Sequence, residues 1–178
     1  MKLPICYYGN LILRKKCTPI ESITKEHHIL VKNMIETMDQ HDGIGIAAPQ
    51  IGESIRLFVL RRYIIKSEEE WDVSDPIVYI NPVILNHSKE VNSSEEGCLS
   101  IPGIKLMVQR PSKITVRSMR LDGSIVEEDL EGINARVVMH ENDHINGVLF
   151  IDRISKKDIK KVELRLNALK KKTLSSLK

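Results

Sequence analysis

The chain has 178 residues, 42% of them apolar and 29% charged, the proportions of an ordinary globular protein rather than of a disordered or membrane chain. A net charge of +3 is too small to imply nucleic-acid binding over the whole surface, although the balance turns clearly basic from Ser155 onward. Three cysteines (Cys6, Cys17 and Cys98) without an export signal argue against a disulfide framework and leave at least one thiol free for other work. Met1 to Gly9 has no apolar run of signal-peptide length, and no later stretch approaches about 20 apolar residues. A cytoplasmic location is therefore expected, with neither a membrane nor DNA as partner.

Helical periodicity first appears from about Lys25 to Asp39, where Val31, Met34, Ile35 and Met38 share a face and Thr24 is placed to cap the start. Gly43 ends that neighbourhood by allowing backbone angles closed to other residues. Arg56–Leu60 reads as a strand, the acidic stretch Lys66–Asp75 as a surface loop, and Ile77–Ile80 and Val83–Leu85 as further strand. Lys113–Leu121 alternates, with Ile114 and Val116 on one face, and Asp122-Gly123 supplies a hairpin turn back through Ser124 to Leu130. A second helix is expected over Asn134–Asn146. A third should run over Lys156–Lys172 and bury Ile159, Val162, Leu166 and Leu169. Strands fill the middle and helices the ends, without the regular alternation of a parallel doubly wound sheet, so the class is α+β. No repeat or low-complexity linker divides the chain, and a single domain over 1–178 is expected.

The strongest chemical signal is His140-Glu141-Asn142-Asp143-His144, an H-E-x-x-H pattern in a helical segment. One turn apart on one face, the two imidazoles can reach a single ion, and Glu141 stands beside that face as a general base would. Catalytic metal sites usually take three protein ligands. Downstream of His144 there is no histidine, and the nearby carboxylates are Asp152 and Asp158; the better candidate lies upstream, Cys98 in Glu96-Gly97-Cys98-Leu99-Ser100. A third element, Gly43-Ile44-Gly45-Ile46-Ala47-Ala48-Pro49-Gln50, has small residues that let a ligand or strand approach the backbone closely. It lacks the later glycine of a dinucleotide fingerprint and no clear strand precedes it, which argues against a cofactor loop.

Together the three segments resemble the peptide deformylase family, whose hallmarks are G-Φ-G-Φ-A-A-x-Q, E-G-C-Φ-S and Q-H-E-x-D-H in this order. The likeness extends to Gly9-Asn10-Leu11-Ile12-Leu13-Arg14 and to Asn146-Gly147-Val148-Leu149-Phe150, and so covers nearly the whole chain. Met139 stands where the family usually has glutamine, and Asn142 where an apolar residue is common; Met139 could weaken hydrogen bonding around the metal, and Asn142 would bury an amide needing a partner.

The resemblance implies antiparallel sheets packed around a central helix carrying the H-E-x-x-H motif, with a C-terminal helix. It implies one divalent ion per chain held by Cys98, His140 and His144, ferrous iron first, with zinc, nickel or cobalt as alternatives. The implied reaction removes formyl from N-formylmethionyl nascent peptides, with Glu141 as base and then acid, and with the Gln50 amide and Leu99 N–H as oxyanion donors. Ile44, Gly45, Glu96 and Val137 would line the substrate pocket, and Glu96 would pair with Arg110 to hold the cysteine segment. The basic terminal helix resembles those that dock bacterial enzymes on ribosomes. The competing readings are an H-E-x-x-H peptidase, for which Cys98 is dispensable, and a non-catalytic metal-binding or ribosome-associated protein, for which Glu141 is dispensable. Cys6 and Cys17 are expected to be structural.

Overall fold

The structure is a computed structural model and describes residues 1–67 and 69–177. Its strands are β1 (Gly45–Ala47), β2 (Leu57–Leu60), β3 (Tyr63–Ile65), β4 (Trp71–Val73), β5 (Ile77–His87), β6 (Val91–Cys98), β7 (Ile101–Pro111), β8 (Lys113–Met119) and β9 (Ile125–Glu131). The helices are α1 (Lys25–Gln40), α2 (Gly132–Ile145), α3 (Lys156–Lys160) and α4 (Glu163–Ser176). Five strands form one antiparallel sheet in the order β1-β2-β5-β8-β9, while β3–β4 and β6–β7 are separate antiparallel hairpins. This is the α+β architecture expected, with α2 packed against β1, β2, β7, β8 and β9.

Burial follows the apolar pattern of each element. Val137, Val138, Met139 and Ile145 of α2 pack on Phe58, Tyr79, Ile114 and Val116 of the sheet. Val31, Met34 and Met38 of α1 cover Ile46, Leu57, Val59 and Ile80. A third cluster joins Ile101, Ile104 and Val108 of β7 to Leu149, Phe150 and Leu166, which seats α4. At about 25 cal/mol per Å2 of apolar surface, the first of these clusters supplies the main force holding α2 in place.

Three sequence expectations change in the structure. The predicted loop Lys66–Asp75 contains β4, because Trp71 and Val73 suit a pleated surface and pair with Ile65 and Tyr63; Glu68, inside that loop, lies outside the described residues. The two segments Ile77–Ile80 and Val83–Leu85 are one strand: the register slips at Asn81-Pro82, where Asn81 has φ 49° and its side-chain amide exchanges two hydrogen bonds with the Ile20 backbone. The third helix is broken at Lys161-Val162, where i→i+3 bonds from Lys161 N to Asp158 O and Val162 N to Ile159 O tighten the turn. The break keeps Ile159, Val162, Leu166 and Leu169 on one buried side.

Asp122-Gly123 turns the β8–β9 hairpin as expected, with Gly123 at φ 85°. No helix among the described residues is long and apolar enough to cross a membrane.

Candidate metal centre and its pocket

Helix α2 places His140 and His144 one turn apart, with ring centroids separated by 5.2 Å. The end of β6 brings Cys98 to them, its Sγ standing 3.2 Å from His144 Nε2. One ligand atom from each of Cys98, His140 and His144 lies within 4.8 Å of the others. Metal–sulfur and metal–nitrogen bonds of ordinary length put tetrahedral donors about 3.5 Å apart, so the cluster can close on one ion with little movement. A thiol and two imidazoles are also the donor set expected of a transition metal rather than of calcium or magnesium.

A buried ionic framework aims the first of these rings. His140 Nδ1 lies 2.9 Å from Glu96 Oε2, which leaves Nε2 to face the cluster. Glu96 is itself gripped by Arg110, at 2.6 and 2.8 Å, and by Arg136 at 2.6 Å. Arg110 also reaches Asp143 of α2 at 2.8 Å, and Arg153 holds the same carboxylate. Burial alone would raise the Glu96 carboxyl, but the bonds from Arg110 and His140 hold it well below the usual carboxylate range. Burial works against charge on both imidazoles. At His140 the contacts with Cys98 and Glu96 outweigh it and lift the ring to about 10, whereas His144, also facing His140 and Arg110, stays well below the ordinary histidine value.

Glu141 is 4% exposed, and its Oε2 has no partner among the described residues. Burial pushes its carboxyl up to about 7, against the pull of the His140 charge. A carboxyl poised there can exchange a proton near neutral pH. The second glycine of the G-x-G element makes room for it, since a Cβ on Gly45 would overlap the Glu141 carboxyl group. Gln50 is 1% exposed and its orientation is fixed at both ends: Oε1 accepts from Ala47 N at 2.8 Å, while Nε2 donates to Ser100 Oγ at 3.2 Å and lies 3.5 Å from Cys98 Sγ.

These groups surround a cavity of about 830 Å3. Ile44, Gly45, Gln50, Glu96, Cys98, Leu99, Val137, His140 and Glu141 all line it. His144 lies behind that wall, 1% exposed, and reaches the site through its contact with Cys98. Of the predicted site residues, none falls elsewhere in the fold. Glu96 supports the wall from within, its two oxygens already taken by Arg110, Arg136 and His140.

Met139 does not line the cavity and lies buried in the core with Phe58 and Tyr79. Asn142 does carry the penalty its position suggests, a buried Oδ1 without a partner among the described residues. Sequence reasoning gave no role to Arg136, Tyr63 and Arg165, which also line the cavity, or to Ser100, which accepts from Gln50. For Arg136 a usable signal existed, because it lies on α2 one turn before His140, on the face that carries the site. The three cysteines are free, with Cys17 buried.

An α+β fold that closes on a Cys/His/His cluster with a buried carboxyl beside it defines a hydrolase of the H-E-x-x-H kind. The polypeptide deformylase family model matches residues 2–160. A peptide deformylase of Chlorobium phaeovibrioides is 43% identical over 171 residues, covering 96% of this chain and 88% of that protein. The crystal structure of peptide deformylase from Thermotoga maritima superposes with a TM-score of 0.78 at 41% identity, over 87% of this chain and 99% of that one. Peptide deformylase 1B of Arabidopsis thaliana, in complex with an inhibitor, gives a TM-score of 0.87 at 34% identity, over 99% and 93% of the two chains. The chain belongs to the polypeptide deformylase family.

Proposed function

We propose that this protein hydrolyses the formyl group from the N-terminal formylmethionine of newly made polypeptides, as one catalytic domain that uses a single divalent ion. The observation that carries this reading is the convergence of Cys98 Sγ and the two imidazoles beside a cavity that Glu141 also lines. Cys98, His140 and His144 would hold the ion, and a thiolate with two neutral rings leaves the positive charge half compensated. Bound there, a divalent cation supplies a water of lowered pKa and polarises the formyl carbonyl. Ferrous iron is the ion the family resemblance implies; zinc, nickel and cobalt satisfy the same donors.

The chain's own groups supply the rest. Glu141 takes the proton of the attacking water and returns it to the departing amine, which releases formate and a free N-terminus. Gln50 Nε2 and the Leu99 N–H receive the negative charge that develops on the formyl oxygen. Glu96 keeps the His140 ring in one tautomer and orientation. Ile44 and Val137 form the apolar slot for the methionine side chain, with the Gly45 backbone along its edge.

Formate release from a formyl-Met peptide by anaerobically prepared, iron-loaded protein tests this, with an acetyl-Met peptide, chelated protein and Glu141→Ala as controls. Rapid release that needs Glu141 and the ion is expected. Cleavage of internal amides without formate release would shift the assignment to a peptidase. Docking of the basic α3–α4 segment on ribosomes belongs to the same reading, and its signature is salt-sensitive binding lost on truncation after Ser155.

A further inference from the structure

We infer that Arg165 of α4 is a specificity residue that favours peptides with an acidic side chain among the first residues after the methionine. This rests on the deformylase reading of the cavity. The cavity wall is not built from the shared motifs alone: Pro102, Gly103 and Lys105 of β7 line one part of it, and Arg165 joins them from α4. The family match ends at residue 160, short of Arg165.

The cations of the wall differ in what already neutralises them. Arg136 is buried and bound to Glu96. Lys105 Nζ stands 3.9 Å from Glu95. Arg165 makes one hydrogen bond, from Nη2 to the Gly103 carbonyl, and has no carboxylate within ion-pair distance among the described residues. That bond orients the guanidinium without cancelling its charge, and the remaining N–H donors stay available. Gly103 provides the seat, because a Cβ there would meet Arg165 Nη2 at 3.3 Å. Leu166, 5% exposed in the third core cluster, fixes the helix backbone beside it. Asp42, which also lines the cavity and lacks an ion pair among the described residues, is an anion and would disfavour rather than bind an acidic side chain.

With the formyl group at Cys98 and the methionine side chain between Ile44 and Val137, the open wall at Gly103 is left for the following residues. A planar guanidinium matches a carboxylate better than it matches any neutral side chain. Since Arg165 is exposed, the preference is modest and sensitive to salt.

The test measures kcat/KM for formate release by the iron-loaded enzyme on formyl-Met-Ala-Xaa-Ser peptides with glutamate, glutamine or lysine at Xaa, and on peptides with the charge moved one residue either way. Wild type should favour glutamate over lysine by about two- to fivefold at low salt, the range of an exposed ion pair. Arg165→Gln should remove the preference, Arg165→Glu should reverse it, and Arg165→Lys should keep most of it. Binding of the products Met-Ala-Glu-Ser and Met-Ala-Lys-Ser by calorimetry should rank the same way.

An unchanged glutamate-to-lysine ratio in Arg165→Gln, or no preference at any position in wild type, overturns the inference. So does a uniform loss on every peptide with a lowered Tm, which would mean that Arg165 only pins α4 to Gly103. If no peptide, charged or neutral, releases formate from wild type, the deformylase reading has failed instead.

Discussion

Adding one methyl group at Gly45 should inactivate the enzyme while leaving its metal in place. A Cβ built on Gly45 lies 2.9 Å from Glu141 Cδ and 3.0 Å from Cγ, and closer still to Oε1. Carbon–carbon contacts are comfortable near 3.5–4.0 Å, so the carboxyl must retreat by about 0.5–1 Å. A general base displaced by that much loses about a hundredfold in rate. The groups that would be struck belong to Glu141 and not to Cys98, His140 or His144. Gly45→Ala should therefore lower kcat for formate release about a hundredfold with one ion per chain retained by elemental analysis. The decisive assay is a double-mutant cycle: once Glu141→Ala has removed the colliding group, adding Gly45→Ala should change the remaining rate by less than about twofold. Full activity in Gly45→Ala would refute the reasoning. Additive losses would do so too, since they would place the methyl group's effect on the substrate.

Gln50→Ala should lower kcat about a hundredfold with metal content intact, because the amide is a donor beside the cluster and not a ligand; loss of the ion from this variant would count against that role. Arg110 is 2% exposed and holds both Glu96 and Asp143, so Arg110→Ala should cost about 3 kcal/mol in urea unfolding; a cost below about 1 kcal/mol would mean that Arg136 and Arg153 suffice. Asn142→Leu removes a buried oxygen that has no partner among the described residues and should raise stability by about 1 kcal/mol, or Tm by about 3 °C by calorimetry; a lowered Tm would contradict the unsatisfied-amide reading. Burial would raise the Glu128 carboxyl, but the bonds from Arg62, Arg120 and Tyr79 outweigh it and place the group below its ordinary value of 4.5. Its ionised form thus stabilises the fold above that pH, and the contribution is lost as pH falls through the lower folded value. The urea midpoint of Glu128→Gln should fall below wild type at pH 7 and converge with it toward pH 2, and a gap independent of pH would contradict the assignment.

Local pattern made part of this protein legible. The 3.6-residue period placed α1 and α2, Asp122-Gly123 placed the β8–β9 turn, and the H-E-x-x-H spacing put two imidazoles on one helical face, since each of these is settled within a few residues of chain. The β6–β7 hairpin escaped because its strand residues Asn92-Ser93-Ser94-Glu95-Glu96 are polar, and their pairing with Leu106–Arg110 is a matter of register rather than of propensity. Trp71 and Val73 became strand only because Tyr63 and Ile65 lie opposite them.

For the site, the sequence alone determined which residue types were present and that two of the ligands share a helix. The tertiary structure decided that Cys98, 42 residues before His140 in the chain, meets that helix; that Gly45 gives space to Glu141; and that Glu96 and Arg110 aim His140. It also brought Arg165, at the far end of the chain, to the rim of the same cavity. The physical reason is the same throughout: short-range spacing is fixed by backbone geometry, whereas contacts between distant segments exist only once burial of the three apolar clusters has brought the sheet, the hairpin and the helices together.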